Sequence, residues 1–205
     1  SLLNEKNLPV KAKEIADNIP HDKRIAVVVS GGWDSAVLWH IVNSECLKRD
    51  QSCKPYTVPK LDGAENWANQ VLALSGYHAS TNLVGNLDAD DPSKYVTSGI
   101  VEIFEKKLAD IVYVGVTKYY DGMEPDHARQ HASQYDAADR CIQPFAQMTK
   151  DVTVQLGFDL GIAQGLMHTT HSCTEQIVGR CQYCKWCKER EWAFAKINKI
   201  DEGQN

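Results

Sequence analysis

An unbroken apolar run, Ile25-Ala26-Val27-Val28-Val29, leads into Ser30-Gly31-Gly32-Trp33-Asp34-Ser35 and then into a longer apolar stretch, Ala36-Val37-Leu38-Trp39-His40-Ile41-Val42. The β-branched run suits a strand covered on both faces, the paired glycines a tight turn, and the longer stretch a helix. Upstream, Leu8, Ala12, Ile15, Ala16 and Ile19 recur at helical spacing, with Pro9 in the first turn, and predict an amphipathic helix over about 8–19. Downstream, residues 54–58 predict a short second strand. Asp62-Gly63-Ala64-Glu65 predicts a helix start with Asp62 as cap, and Ala64, Trp67, Ala68, Val71 and Leu72 form its core-facing stripe. A third strand is expected within 77–84. After the acidic turn 88–92, Asp91 and Pro92 open a helix bearing Val96, Ile100, Ile103, Phe104 and Leu108. Residues 111–116 form a second unbroken apolar strand, and Thr149 caps a helix reaching Leu156-Gly157, with a further glycine stop at Gly161. Strands alternating with helices predict an α/β fold with a mainly parallel sheet, whose ligands gather at the carboxyl ends of strands. The first and fourth strands therefore point at the site.

At 205 residues, 43% hydrophobic and 24% charged, the chain reads as one domain over 1–205 with one sizeable core. A net charge of −5 and a pI near 5.8 argue against broad electrostatic binding to nucleic acid and favour a small-molecule substrate. No run of about 18 uncharged apolar residues and no signal-peptide core is seen, so a soluble, cytoplasmic protein without a membrane partner is expected.

The turn at 30–35 changes the picture from fold to chemistry. Glycines clear space, the opening helix offers backbone N–H groups and the positive end of its dipole, and Ser30 and Ser35 add hydroxyls: an anion such as phosphate is the natural occupant. Asp34 would repel phosphate alone and makes sense beside Mg²⁺. The competing reading is an ordinary Gly-Gly turn with Asp34 as a helix cap. After the fourth strand, residues 117–127 form a polar, aromatic-rich loop in which Asp121 and Asp126 hold Mg²⁺ or orient a substrate amine, or else are simply solvated. His127 and His131 read as a surface pair. Lys150, near a helix start where the dipole disfavours a cation, either holds an anionic group or is a surface lysine.

Of seven cysteines, Cys173, Cys181, Cys184 and Cys187 have seven, two and two residues between successive sulfurs. Four thiolates fill a tetrahedral Zn²⁺ shell and mark a structural site, here a C-terminal module over about 168–192; an iron–sulfur cluster also accepts four cysteines. His168 and His171 are surplus to that shell. Cys46, Cys53 and Cys141 read as inert thiols. Lys185, Lys188, Arg190, Lys196 and Lys199 make the tail locally basic, which serves contact with nucleic acid or solubility.

The turn resembles the SGGxDS signature of the PP-loop ATP pyrophosphatases, which cleave ATP between the α and β phosphates. Together with the Gly115-Val116 loop and its Pro125-Asp126, the Thr149-Lys150 helix start and the four-cysteine knot, residues 24–192 resemble the 7-cyano-7-deazaguanine synthase family. The resemblance implies a Rossmann-like (adenine nucleotide alpha hydrolase-like) α/β fold with a small zinc knot. It also implies a ligase that converts 7-carboxy-7-deazaguanine and ammonia to the nitrile at the expense of ATP, with Mg²⁺ and structural Zn²⁺. On that resemblance Asp34, Ser35, Asp121, Asp126 and Lys150 are catalytic candidates. Ser30, Gly31, Gly32, Trp33, Asp34, Ser35, Val58 and Gly115 bind nucleotide, and the four knot cysteines bind metal. The partners implied are a 7-deazaguanine-type acid and ammonia, with a homodimer compatible and nucleic acid not expected. Departures occur at 57–63, where the family has Tyr-Gly-Gln, at Asp121, whose family counterpart falls at Tyr120, at Gly122-Met123-Glu124, and at His127, where the family has cysteine. They leave open a divergent PP-loop enzyme acting on another acid or on tRNA, while intact Asp34 and Ser35 speak against a non-catalytic module.

Overall fold

Both faces of the first apolar run are covered, which is why it contains no polar position. In a computed structural model describing residues 3–59, 63–85, 95–123 and 139–203, strand β1 (Ile25–Val28) lies between β2 (Cys53–Thr57) and β4 (Ile111–Val114). Among the described residues β3 (Asn82–Leu83) pairs with β2 and β5 (Cys141–Ile142) with β4, giving the order β3-β2-β1-β4-β5 with every ladder parallel. Successive strand side chains point to opposite faces. Ile25, Val27, Val29, Ile111 and Tyr113 accordingly enter one hydrophobic cluster, and Ala26, Val28, Val112 and Val114 enter another. The fold is a Rossmann-like parallel sheet flanked by helices.

The first cluster is completed by α1 (Val10–Asp17), α2 (Trp33–Arg49), α3 (Ala64–Leu74), α5 (Lys150–Asp159), α6 (Ala163–Thr169) and α7 (Lys185–Lys196). The second is completed by Ile100 and Ile103 of α4 (Tyr95–Glu105). Because β2 lies on one side of β1 and β4 on the other, the chain reverses direction across the sheet at β1/β4, and the loops after these two strands flank the crevice such sheets use for ligands. Among the described residues no helix is long and apolar enough to cross a membrane.

Several elements differ from expectation. Pro9 is the N-cap of α1 and stands before the first turn instead of within it. The N-cap of α3 is Gly63, at φ +73°, and Asp62 lies outside the described residues. A side chain at Gly63 would also crowd Ile177, its Cβ coming within 2.9 Å of Ile177 Cγ2. The third strand shrinks to Asn82–Leu83: the chain leaves α3 through Gly76 at φ +85°, and Thr81 is held by Asn69 and Thr57, so pairing begins only beyond it. Strand β5 and helix α6 have no counterpart in the sequence reading; β5 is too short to show a period. The turn 88–92, with Asp91 and Pro92, lies outside the described residues.

His40 on α2 is 2% exposed, and its Nε2 has no hydrogen-bond partner. Burial lowers its pKa from 6.5 to about 4, so the folded protein holds it neutral. The unfolded chain takes up that proton first as pH falls below about 6.5. The contribution is therefore fully present above that pH and is lost progressively down to about 4, amounting to about 3 kcal/mol at 1.36 kcal/mol per unit. Urea unfolding at pH 7 and pH 4 should show a drop larger in the parent than in His40→Phe by about that amount; equal drops would exclude this role for His40.

Candidate active site and metal centre

The loop joining β1 to α2 is closed by its own hydroxyls. Ser35 Oγ accepts the Ser30 N–H at 3.0 Å and lies 3.1 Å from Ser30 Oγ, which also accepts the Gly32 N–H at 3.3 Å. The first turn of α2 thus opens directly onto the carboxyl end of β1, with Gly32 as N-cap. Gly31 has φ +85°, and a Cβ there would lie 2.6 Å from Trp67 Cβ, so both its conformation and its surroundings require glycine. Gly115, just beyond β4, is needed for a different reason: a Cβ would come within 2.9–3.0 Å of the Asp34 and Ser35 backbone, which here presses onto the β4 exit.

Asp34 and Lys150 meet although 116 residues separate them. Lys150 Nζ donates to Asp34 Oδ2 at 2.8 Å, and Thr153 Oγ1 donates to Asp34 Oδ1. The Lys150 residue is 4% exposed, whereas the Asp34 side chain keeps 15% of its surface. Lys150 is therefore not a solvated surface lysine. It opens α5 against the helix dipole, and the Asp34 carboxylate offsets that cost at the mouth of the loop joining β1 to α2. Thr153 was not singled out by sequence; its signal is the three-residue step from Lys150, which puts both on one helix face.

Two candidates contribute differently than expected. The Trp33 side chain is fully buried, donates Nε1–H to the Thr153 carbonyl at 2.9 Å and meets Phe194 edge-on, so only its backbone reaches the loop. Val58 is likewise buried in the second cluster. In the loop after β4, Tyr120 stacks on Trp192 of α7 at 4.4 Å and 9°, and Asp121 follows it on an exposed turn. Asp126, His127 and His131 lie outside the described residues.

The sulfurs of Cys173, Cys181, Cys184 and Cys187 all lie within 4.8 Å of one another and could hold a metal ion. Cys184 N–H donates to Cys181 Sγ at 3.2 Å and Cys187 N–H to Cys184 Sγ at 3.4 Å, as suits thiolates. Burial works to raise the Cys184 thiol, but N–H groups of Thr174 and Cys187 bring its pKa down to about 7. His168 lies on α6, and His171 stacks on Trp67, both outside the four-sulfur set. Arg190 does not belong to a basic surface. It is 1% exposed, is paired with Asp201 and reaches the Thr170 hydroxyl, while burial lowers its pKa against the pull of Asp201.

Residues 109–198 match the family described as queuosine biosynthesis protein QueC. No curated protein matches the chain. Among solved structures, the U34-tRNA thiolase NcsA from Methanococcus maripaludis, with its 4Fe–4S cluster, is 13% identical, with a TM-score of 0.49 over 92% of this chain and 70% of its own. The NMN synthetase from Francisella tularensis is 11% identical, with a TM-score of 0.49 over 93% of this chain and 86% of its own. The family match supports an ATP-utilising adenylating enzyme with small-molecule substrates. The match to the queuosine biosynthesis protein QueC family begins just before β4 and runs through the four cysteines and α7; it spans less than half of the chain and does not include the loop at 30–35.

Proposed function

We propose that the protein is an ATP-dependent C–N ligase that adenylates a 7-deazaguanine carboxylate, 7-carboxy-7-deazaguanine, and uses ammonia to form the 7-cyano product, releasing AMP and pyrophosphate. The observation that carries this reading is the meeting of Asp34 and Lys150 at the phosphate loop, on the carboxyl side of a parallel sheet where its direction reverses. Loop amides and the hydroxyls of Ser30 and Ser35 would receive the β and γ phosphates. Lys150 would meet the charge that develops as pyrophosphate departs, and Thr153 would hold the Asp34 carboxylate in place. Mg²⁺, which Asp34 fits, supplies charge neutralisation on the phosphates. Gly115 would let the nucleotide approach the exit of β4, and Asp121 and Asp126 would belong to the substrate loop.

For the knot we propose structural Zn²⁺. A single tetrahedral ion with ~2.3 Å bonds to sulfur sets its ligands about 3.8 Å apart, and Cys181 Sγ and Cys187 Sγ are 3.9 Å apart. All four sulfurs lie within 4.8 Å of one another, whereas an iron–sulfur cluster distributes its four cysteines over two or more irons and holds the sulfurs on different irons farther apart.

Exchange of labelled pyrophosphate into ATP tests the adenylation step. Exchange that requires 7-carboxy-7-deazaguanine is expected; exchange stimulated by a different acid would move the protein to the divergent branch of the superfamily, and none with any acid would refute adenylation.

A further inference from the structure

The segment leading into the knot is fastened to the phosphate loop by contacts that neither the proposed chemistry nor metal ligation uses. His171, two residues before Cys173, donates its backbone N–H to the Gly31 carbonyl at 2.8 Å. Its ring stacks on Trp67 at 4.9 Å and 7°, and its Nε2 lies 2.6 Å from the Gln176 carbonyl. Trp67 in turn donates Nε1–H to the Ile177 carbonyl at 2.9 Å, so one indole binds both ends of the 171–177 segment. The Cβ of the same Trp67 stands against Gly31, where an added methyl group would lie 2.6 Å from it. Trp67 is 8% and His171 7% exposed, and Cys173, which lies within the fastened stretch and belongs to the four-sulfur cluster, is 1% exposed.

We propose that Trp67 and His171 are positioning residues through which the loaded cysteine knot holds the phosphate loop in its binding conformation, so that metal occupancy and phosphate binding reinforce each other. The proposal rests on reading the loop at 30–35 as the phosphate site. The physical chain is short. A metal ion fixes Cys173; Cys173 fixes the His171 amide; that amide holds the Gly31 carbonyl, and Gly31, at φ +85°, is the residue that turns the loop. Without the ion, the 171–177 segment loses its anchor at Cys173, and the loop must lose more conformational freedom when an anion binds. Linkage makes the effect reciprocal: whatever factor the metal adds to anion affinity, the anion adds to metal affinity.

The test uses inorganic pyrophosphate with Mg²⁺ as probe, measured calorimetrically on the full chain. Zinc-loaded parent should bind at least about tenfold more tightly than the metal-depleted protein, and pyrophosphate should raise zinc affinity by the same factor. In zinc-loaded protein, Trp67→Leu should weaken pyrophosphate binding by about threefold to tenfold, the range of an aromatic stack, while Trp67→Phe, which keeps the stack, should recover most of it. Equal affinities in loaded and depleted protein, or parent-like binding by Trp67→Leu, would overturn the proposal. Should metal removal unfold the whole chain, the Trp67→Leu and Trp67→Phe comparison in loaded protein decides. If the loaded parent binds no pyrophosphate, the phosphate-site reading fails, and amide hydrogen exchange judges the latch separately. Faster exchange over 31–35 in Trp67→Leu than in loaded parent supports the latch, and unchanged exchange refutes it.

Discussion

Asp34→Asn is expected to lower ATP turnover by about 10²–10³-fold, the usual cost of removing one positioned electrostatic group. The same substitution should destabilise the fold. Both Asp34 oxygens are engaged, one by Lys150 and the other by Thr153, and Lys150 is 4% exposed with no access to bulk water in its place. Breaking one side of such a buried pair costs about 3–5 kcal/mol, because the remaining charge is left uncompensated. The two effects separate in a second variant. Asp34→Asn with Lys150→Met removes the orphaned ammonium and should recover most of the stability, yet turnover should stay at the level of the single variant. Urea unfolding and AMP release measured on the same preparations decide this. Activity within a few-fold of the parent in Asp34→Asn would dismiss the phosphate-cradle assignment, and unchanged stability would mean that Lys150 finds another partner.

Removal of the knot metal is expected to have the second large effect. Structural zinc in small domains carries about 10–16 kcal/mol of apparent binding free energy, all of it linked to folding. Here the knot also supports α7, whose Phe194 packs edge-on against Trp33 and whose Arg190 binds Asp201, Thr170 and the Met167 carbonyl. Loosening the knot therefore reaches Trp33, the first residue of α2, where the loop at 30–35 turns into the helix. Even a net loss of ~5 kcal/mol should lower Tm by about 10–20 °C in a chain of this size. Cys184→Ser, or exhaustive chelation, should produce that fall in calorimetry, and elemental analysis of the parent should find one zinc per chain. Stoichiometric iron would replace the zinc assignment with a cluster, and a metal-free parent of unchanged Tm would remove the metal altogether.

The strand–turn–helix around 30–35, where we place the phosphates, was legible in the sequence because its requirements are local. A buried parallel strand demands an unbroken apolar run, a tight turn under a helix demands glycine, and anion binding demands free amides and hydroxyls, all within 25–42. The knot was legible for the same reason, since ligand spacing is written in the chain. Lys150 could be placed at a helix start but not opposite Asp34, because that pairing is made by tertiary packing across 116 residues. Trp67 reads as an apolar stripe residue and His171 as surplus to the four-cysteine shell, and neither reading contains their stack. Arg190 was misjudged because burial reverses the meaning of a basic residue: counted in the sequence it adds charge to a surface, whereas in the fold it neutralises Asp201. The short strand β5 left no period to detect.

The proposed reaction is told from its alternatives by the product of ATP cleavage, because a carboxylate oxygen must first be made a leaving group. By the proposed route AMP is transferred to that oxygen with release of pyrophosphate, ammonia displaces AMP to give the amide, and the amide oxygen is adenylated in turn and leaves as AMP when the nitrile forms. The decisive measurement is mass analysis of purified protein incubated with ATP, Mg²⁺, ammonium and 7-carboxy-7-deazaguanine. Two AMP and two pyrophosphate per 7-cyano-7-deazaguanine are expected; ADP as the main nucleotide product, or AMP with an amide that never advances to the nitrile, would contradict it.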